Sequence, residues 1–142
     1  VSVNNVNDNS PVFTSSTTFS GDENQTSIGS VTASDADNDQ LTFAISGSDL
    51  AITSAGVLTF TSAPDYETKT SYTATVTVTD GINASTQDIT VSVNNVNDNS
   101  PVFTSSTTFS AAENQTAIGT VTATDADGTL PTYTVSGSEL SI

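Results

Sequence analysis

The sequence contains no histidine, cysteine, methionine, tryptophan or arginine, and Lys69 is its only base. Each absence excludes a chemistry. Without His or Cys there is no Ser-His-Asp triad, no thiolate nucleophile, no thiolate zinc site and no disulfide framework. With a single cationic side chain there is no patch to neutralise phosphates, so nucleic acid and anionic membrane surfaces are poor partners. No apolar run approaches the roughly 18 residues that cross a bilayer, so this segment is not expected to insert into a membrane. No basic flank followed by a hydrophobic stretch marks a signal peptide near residue 1.

What remains is acid and hydroxyl. Sixteen Asp and Glu set the formal charge of the 142 residues at -15, and only 34% of the chain is hydrophobic. Low hydrophobicity with high charge is also the composition of disorder, but the apolar residues here are too regularly spaced for that. Carboxylate oxygens are the one abundant ligand type, and they suit hard cations such as calcium. Composition points away from an enzyme. The carboxylate pairs a glycosidase would need, Asp35 with Asp37 and Asp65 with Glu67, are better used as metal ligands.

Residues 1–20 recur letter for letter as residues 91–110, a period of 90 residues. Over the 52 overlapping positions 38 are identical. Phe13, Glu23 and Asp35 recur in phase, so the similarity is not a low-complexity echo of Ser and Thr. Tandem domains of about 90 residues explain it, a length that suits one β-sandwich. The expected organisation is the end of a preceding repeat with its linker at 1–10, a complete repeat at 11–95, a linker at 96–100, and the front half of another repeat at 101–142. The chain reads as a slice of a longer array, continued covalently in both directions, or else as a subunit completed by strands of neighbouring copies.

Within the complete unit the hydrophobic period is two. Tyr72, Ala74, Val76 and Val78 alternate with threonines up to Asp80-Gly81; Ile89, Val91 and Val93 alternate with Thr90, Ser92 and Asn94; Leu41, Phe43 and Ile45 alternate with Thr42, Ala44 and Ser46. Shorter strands are expected at 12–20, 28–34, 49–53 and 57–61. Seven strands punctuated by Gly, Asn, Asp and Pro predict an all-β, Greek-key sandwich of immunoglobulin-like architecture. Its expected core is Phe13, Phe19, Val31, Phe43, Ile45, Phe60, Tyr72, Val76, Val78 and Val91.

The acids lie between strands: Glu23-Asn24, Asp35-Ala36-Asp37, Asp65-Tyr66-Glu67, Asp80, and the connecting Asn95-Val96-Asn97-Asp98-Asn99. Singly, each is a solvated turn. Together and in this order the set resembles the cadherin repeat, with its EN pair, DxD, DxE, lone Asp and DxNDNxP linker. Pro101-Val102-Phe103 also looks like that family's opening strand. The resemblance covers the whole chain. One position departs: Asn5 and Asn95 stand where the family usually has Asp, which keeps an oxygen but loses a charge.

The resemblance implies about three calcium ions at each inter-repeat linker. For the second linker it implies Glu23, Asp65 and Glu67 from the preceding unit, Asn95, Asn97 and Asp98 with the Val96 and Asn99 carbonyls from the linker, and Asp125 and Asp127 from the following unit. For the first it implies Asn5, Asn7, Asp8 and the Asn9 carbonyl, with Asp35, Asp37 and Asp80. Glu113 repeats Glu23 one period on. A counterpart of Asp80 would bring the carboxylates of the second linker to seven, against which three divalent ions place +6. The implied function is a calcium-rigidified extender of a long extracellular fibre or giant cell-surface adhesin, with neighbouring repeats, or copies in a filament, as partners. The alternative is adhesion through the repeats, homophilic or to a cell-surface or glycan ligand. The strand exchange that uses an N-terminal Trp is excluded by the lack of Trp. A surface almost purely of Ser, Thr, Asn and Asp looks microbial. Asn24, Asn83 and Asn114 head N-glycosylation acceptor triplets, which chance supplies readily in a chain rich in Ser and Thr.

Overall fold

A computed structural model describes residues 2–142; Val1, which opens the repeated segment, lies outside the described residues. The chain divides into two compact units, residues 1–96 and 97–142.

The first unit is a β-sandwich. Its strands are β1 (Val12–Phe13), β2 (Thr18–Asp22), β3 (Ser27–Ser30), β4 (Ala33–Ser34), β5 (Thr42–Ile45), β6 (Leu50–Ile52), β7 (Val57–Phe60), β8 (Ser71–Thr79) and β9 (Ala84–Asn94). One sheet has the order β2-β9-β8-β5, the other β3-β7-β6, and β1 pairs separately with β4. All pairings are antiparallel except β2 with β9. Two of the seven expected strands are therefore broken. The run 12–20 leaves β4 after Phe13 and resumes beside β9 at Thr18, and the hydroxyl of Ser16 receives the Thr18 amide at the break. The run 28–34 breaks after Val31, whose N–H still reaches the Gly56 carbonyl just before β7, while Ala33 and Ser34 pair with β1. At both places a strand changes partner, which a period of two does not reveal.

Alternation decides the core. Val76 and Val78 of β8 and Ile89, Val91 and Val93 of β9 are buried, while threonines and serines cover the opposite face. Leu50, Leu58 and Phe60 meet them from the other sheet, with Val31 from the segment between β3 and β4. Phe13, Phe19, Phe43, Ile45 and Tyr72, expected in the centre, pack around it half-buried. Phe60 and Tyr72 meet edge to face at 5.2 Å. Lys69 lies over the Tyr72 ring and pairs with Asp49 at 2.7 Å, so the side chain of the one basic residue is engaged.

The second unit contains β10 (Val102–Phe103) paired with β11 (Ala123–Thr124). This ladder repeats the β1–β4 register one period on. The other strands expected in it do not form, and Phe103 and Phe109 are exposed. The partners that β2, β3 and β5 find in the first unit are β9, β7 and β8, and residues 97–142 hold no counterpart of them. The Ala123 amide donates to the Tyr133 hydroxyl at 2.9 Å.

Candidate metal centre

The strands of the first unit carry acids to both ends of its longest element. β9 runs eleven residues, about 33–34 Å at strand rise, from beside Asp80 and Asn83 to beside Glu23. The implied ligands thus divide into two groups that do not meet within this unit.

At the first end, residues 5–9 are held against the DxD turn. Asp37 accepts the Asp8 and Asn9 amides on Oδ2, at 3.1 and 2.8 Å, and the Asn9 side-chain amide on both oxygens. Those N–H groups, the Asn9 backbone first, hold the Asp37 carboxyl below the usual carboxylate range. Asn5 donates its Nδ2 to the Asp37 carbonyl at 2.8 Å. That contact needs an amide, and it gives a physical reason for Asn where the family has Asp. Asp80 accepts the Ile82 and Asn83 amides on Oδ1; burial pushes its carboxyl up, but these donors outweigh it and the net shift is downward. Asn83 spans the gap, donating to Asn7 Oδ1 at 3.1 Å and to the Asn9 carbonyl at 3.0 Å. Asn5, Asn7, Asp8, Asn9, Asp35, Asp37 and Asp80 all belong to this one neighbourhood.

Two residues here escaped the sequence reading. Asn83 stands out in the sequence only as the head of a triplet that chance supplies readily, whereas its amide clamps Asn7 and Asn9. Asp39 extends the DxD to Asp35-Ala-Asp37-Asn-Asp39, an alternation that could have flagged it. Asn38 adopts left-handed φ of 61°, a conformation Asn tolerates, and one period on Gly128 takes it at 78°. One oxygen from each of Asp35, Asp37 and Asp39 lies within 4.8 Å of the others. Asp35 Oδ1 accepts the Asp37 amide, but Asp35 Oδ2 and Asp39 Oδ2 are enclosed and have no donor. Desolvation first, then Asp35, Asp37 and Asp80, pushes the Asp39 carboxyl up.

At the other end, Glu23 is 2% exposed. It accepts the Tyr66 amide at 2.8 Å and the Val96 amide at 2.6 Å, tying the end of β2 to the 65–68 turn and to the connecting segment. Asn24 follows at φ 63°, and Asn114 repeats that value. Asp65 caps its own turn: the Thr68 hydroxyl and amide donate to it, and the hydroxyl above all lowers its carboxyl. Glu67 and Asn95 are exposed.

The second unit repeats the first group. Asp127 accepts the Asn99 amide at 2.8 Å and its side chain at 3.0 Å; Asp98 also accepts the Asn99 side chain, and Asp125 accepts the Asp127 amide. Asn97 and Asp98 are exposed beside them, as is Glu113, unlike its counterpart Glu23.

Enclosed carboxylate oxygens without donors, in turns built only of oxygen ligands, fit a hard cation. Sandwich and acidic turns together define a cadherin-like repeat. A family model described as a bacterial Ig domain matches residues 7–94, and the chain belongs to that family. It is 39% identical over 88 residues to cadherin-related family member 2 of Mus musculus, covering 59% of this chain and 7% of that protein. Its fold is similar to the crystal structure of human protocadherin-24 EC1-2, with TM-score 0.72 and 29% identity over 84% of this chain and 61% of that one. It is also similar to extracellular cadherin domains 3-6 of protocadherin gamma B2, with TM-score 0.71 and 26% identity over 87% of this chain and 37% of that one. The chain thus spans less than two thirds of these proteins. It is a cadherin-like repeat, and among the described residues no helix is long and apolar enough to cross a membrane.

Proposed function

We propose that the chain is a calcium-stiffened extender, a module whose joints are ordered by calcium. The observation that carries this reading is the pair of enclosed, donorless oxygens on Asp35 and Asp39, beside a linker already drawn onto the same turn. Calcium supplies positive charge and a demand for about 6–8 oxygens, more than one turn provides. At the first joint Asn7, Asp8, the Asn9 carbonyl, Asp35, Asp37 and Asp80 would hold it, with the Asn5 oxygen as a weaker donor. At the second, Glu23, Asp65, Glu67, Asn95, Asn97, Asp98, Asp125, Asp127 and the carbonyls of Val96 and Asn99 would do so, and Glu113 would repeat Glu23 at the next. About three ions per joint balance the carboxylates. Magnesium fits less well because it keeps its waters and demands octahedral geometry.

Small-angle scattering of the chain, with calcium and with EDTA, tests the reading. Calcium should lengthen the particle and raise the melting temperature; a site with Kd near 0.1 mM contributes about 2.7 kcal/mol at a hundredfold excess. Equal lengths and equal melting in the two conditions would overturn it. Self-association at micromolar concentration in calcium, seen by sedimentation, would replace the extender by the adhesive reading.

A further inference from the structure

The two copies differ at two positions of the acidic turn, and one of them changes its charge. The first reads Asp35-Ala-Asp37-Asn-Asp39, the second Asp125-Ala-Asp127-Gly-Thr129. The backbone is alike in both, since Asn38 and Gly128 are left-handed and Asp35 and Asp125 each accept the amide two residues on. Only the first turn carries a third carboxylate.

We infer that Asp39 is a further calcium ligand of the first site, sharing one ion with Asp35, and that the second turn, with Thr129 in its place, binds calcium more weakly. This rests on the calcium reading above. Asp37 has its oxygens occupied by the Asp8 and Asn9 donors, whereas the donorless oxygens are those of Asp35 and Asp39. Oxygens no more than 4.8 Å apart can both lie at calcium's 2.3–2.6 Å from one ion, because twice that distance is about 4.6–5.2 Å. Lys69, the chain's one basic side chain, is paired with Asp49, so no protein cation serves the turn. Asp39 also restores a charge that Asn5 lacks. At the second joint Asn95 lacks the same charge and Thr129 does not restore it.

Calorimetric titration of the full chain with calcium, joined to thermal melting in EDTA, tests this. Asp39→Asn should weaken the tighter class of sites about tenfold, about 1.4 kcal/mol. In EDTA it should melt at the same temperature or higher, because it removes an enclosed carboxylate facing Asp35, Asp37 and Asp80. A merely structural role would lower the melting point in both conditions. Thr129→Asp should tighten the weaker class, with Asp88→Asn, on the outer face of β9, as the unaffected control. If Asp35→Asn weakens binding and Asp39→Asn does not, Asp39 is no ligand and the calcium reading stands. If neither changes binding, the calcium reading itself falls. Unchanged affinity in Thr129→Asp would overturn the inequality of the two turns.

Discussion

Glu23 shows how one residue serves both fold and site. Its carboxyl is enclosed at the end of β2 and receives two backbone amides, from Tyr66 and from Val96. Removing it leaves both N–H groups without an acceptor in a place that water barely reaches, at about 1–3 kcal/mol for each unsatisfied group. Glu23→Ala should therefore cost about 2–4 kcal/mol even in EDTA, and Glu23→Gln, which keeps one acceptor, about half as much. Chemical denaturation measures the first quantity, and amide exchange at Val96 locates it. Unchanged protection of the Val96 amide in Glu23→Ala would show that the bond does not hold the connecting segment. Asp65 belongs to a different case, since its carboxyl already caps the turn that presents Tyr66 and Glu67. Losing it should disturb the turn before any metal is added.

Elements follow from simple alternation where a strand stays with its partners, and not where it changes them. β8 and β9 read directly from Tyr72-Thr-Ala-Thr-Val-Thr-Val and Ile89-Thr-Val-Ser-Val, because both lie inside one sheet and bury one face. The breaks at Thr14–Thr17 and after Val31 were not legible, since they depend on which distant strand offers a free edge. Leu50 and Leu58 entered the core without being expected there, because their strands are too short for periodicity to show. The acidic turns were legible because their order and spacing repeat a known pattern. Asp39 continues the DxD alternation by one step beyond that pattern, whereas Asn83 lies outside it and only the folded turn brings it there. β7 offers a test of how sharply alternation governs stability. Leu58 is fully buried and its neighbour Val57 is 45% exposed. Leu58→Ala should cost about 2–5 kcal/mol, and Val57→Ala no more than about 0.5–1 kcal/mol, the range of strand preference. Urea midpoints of the two variants decide this, and similar losses would mean that β7 is not registered as described. The turn before it is equally constrained: Gly56 has φ 90°, and a Cβ there would strike the Val31 carbonyl.

For the whole molecule the dominant quantity is the charge of -15 with one lysine to oppose it. Two effects of added salt must be separated, since any cation screens carboxylate repulsion while only a bound ion supplies oxygen coordination. Screening is general: the Debye length falls from about 10 Å at 0.1 M to about 3 Å at 1 M monovalent salt, whatever the cation. Coordination is specific and saturates at the affinity of the sites. The DxD turn encloses one oxygen each of Asp35 and Asp39, and enclosed charges are screened much less than exposed ones, so sodium chloride should relieve them only in part. Melting the chain in EDTA with increasing sodium chloride should give a small, gradual rise. Millimolar calcium, which contributes little ionic strength, should give a larger rise that saturates, and equimolar magnesium a smaller one. If about 1 M sodium chloride matches calcium, or magnesium equals it, the acids act as a repulsive surface that any salt relieves. If calcium alone produces the larger, saturable rise, its effect comes from oxygen coordination in the acidic turns rather than from screening.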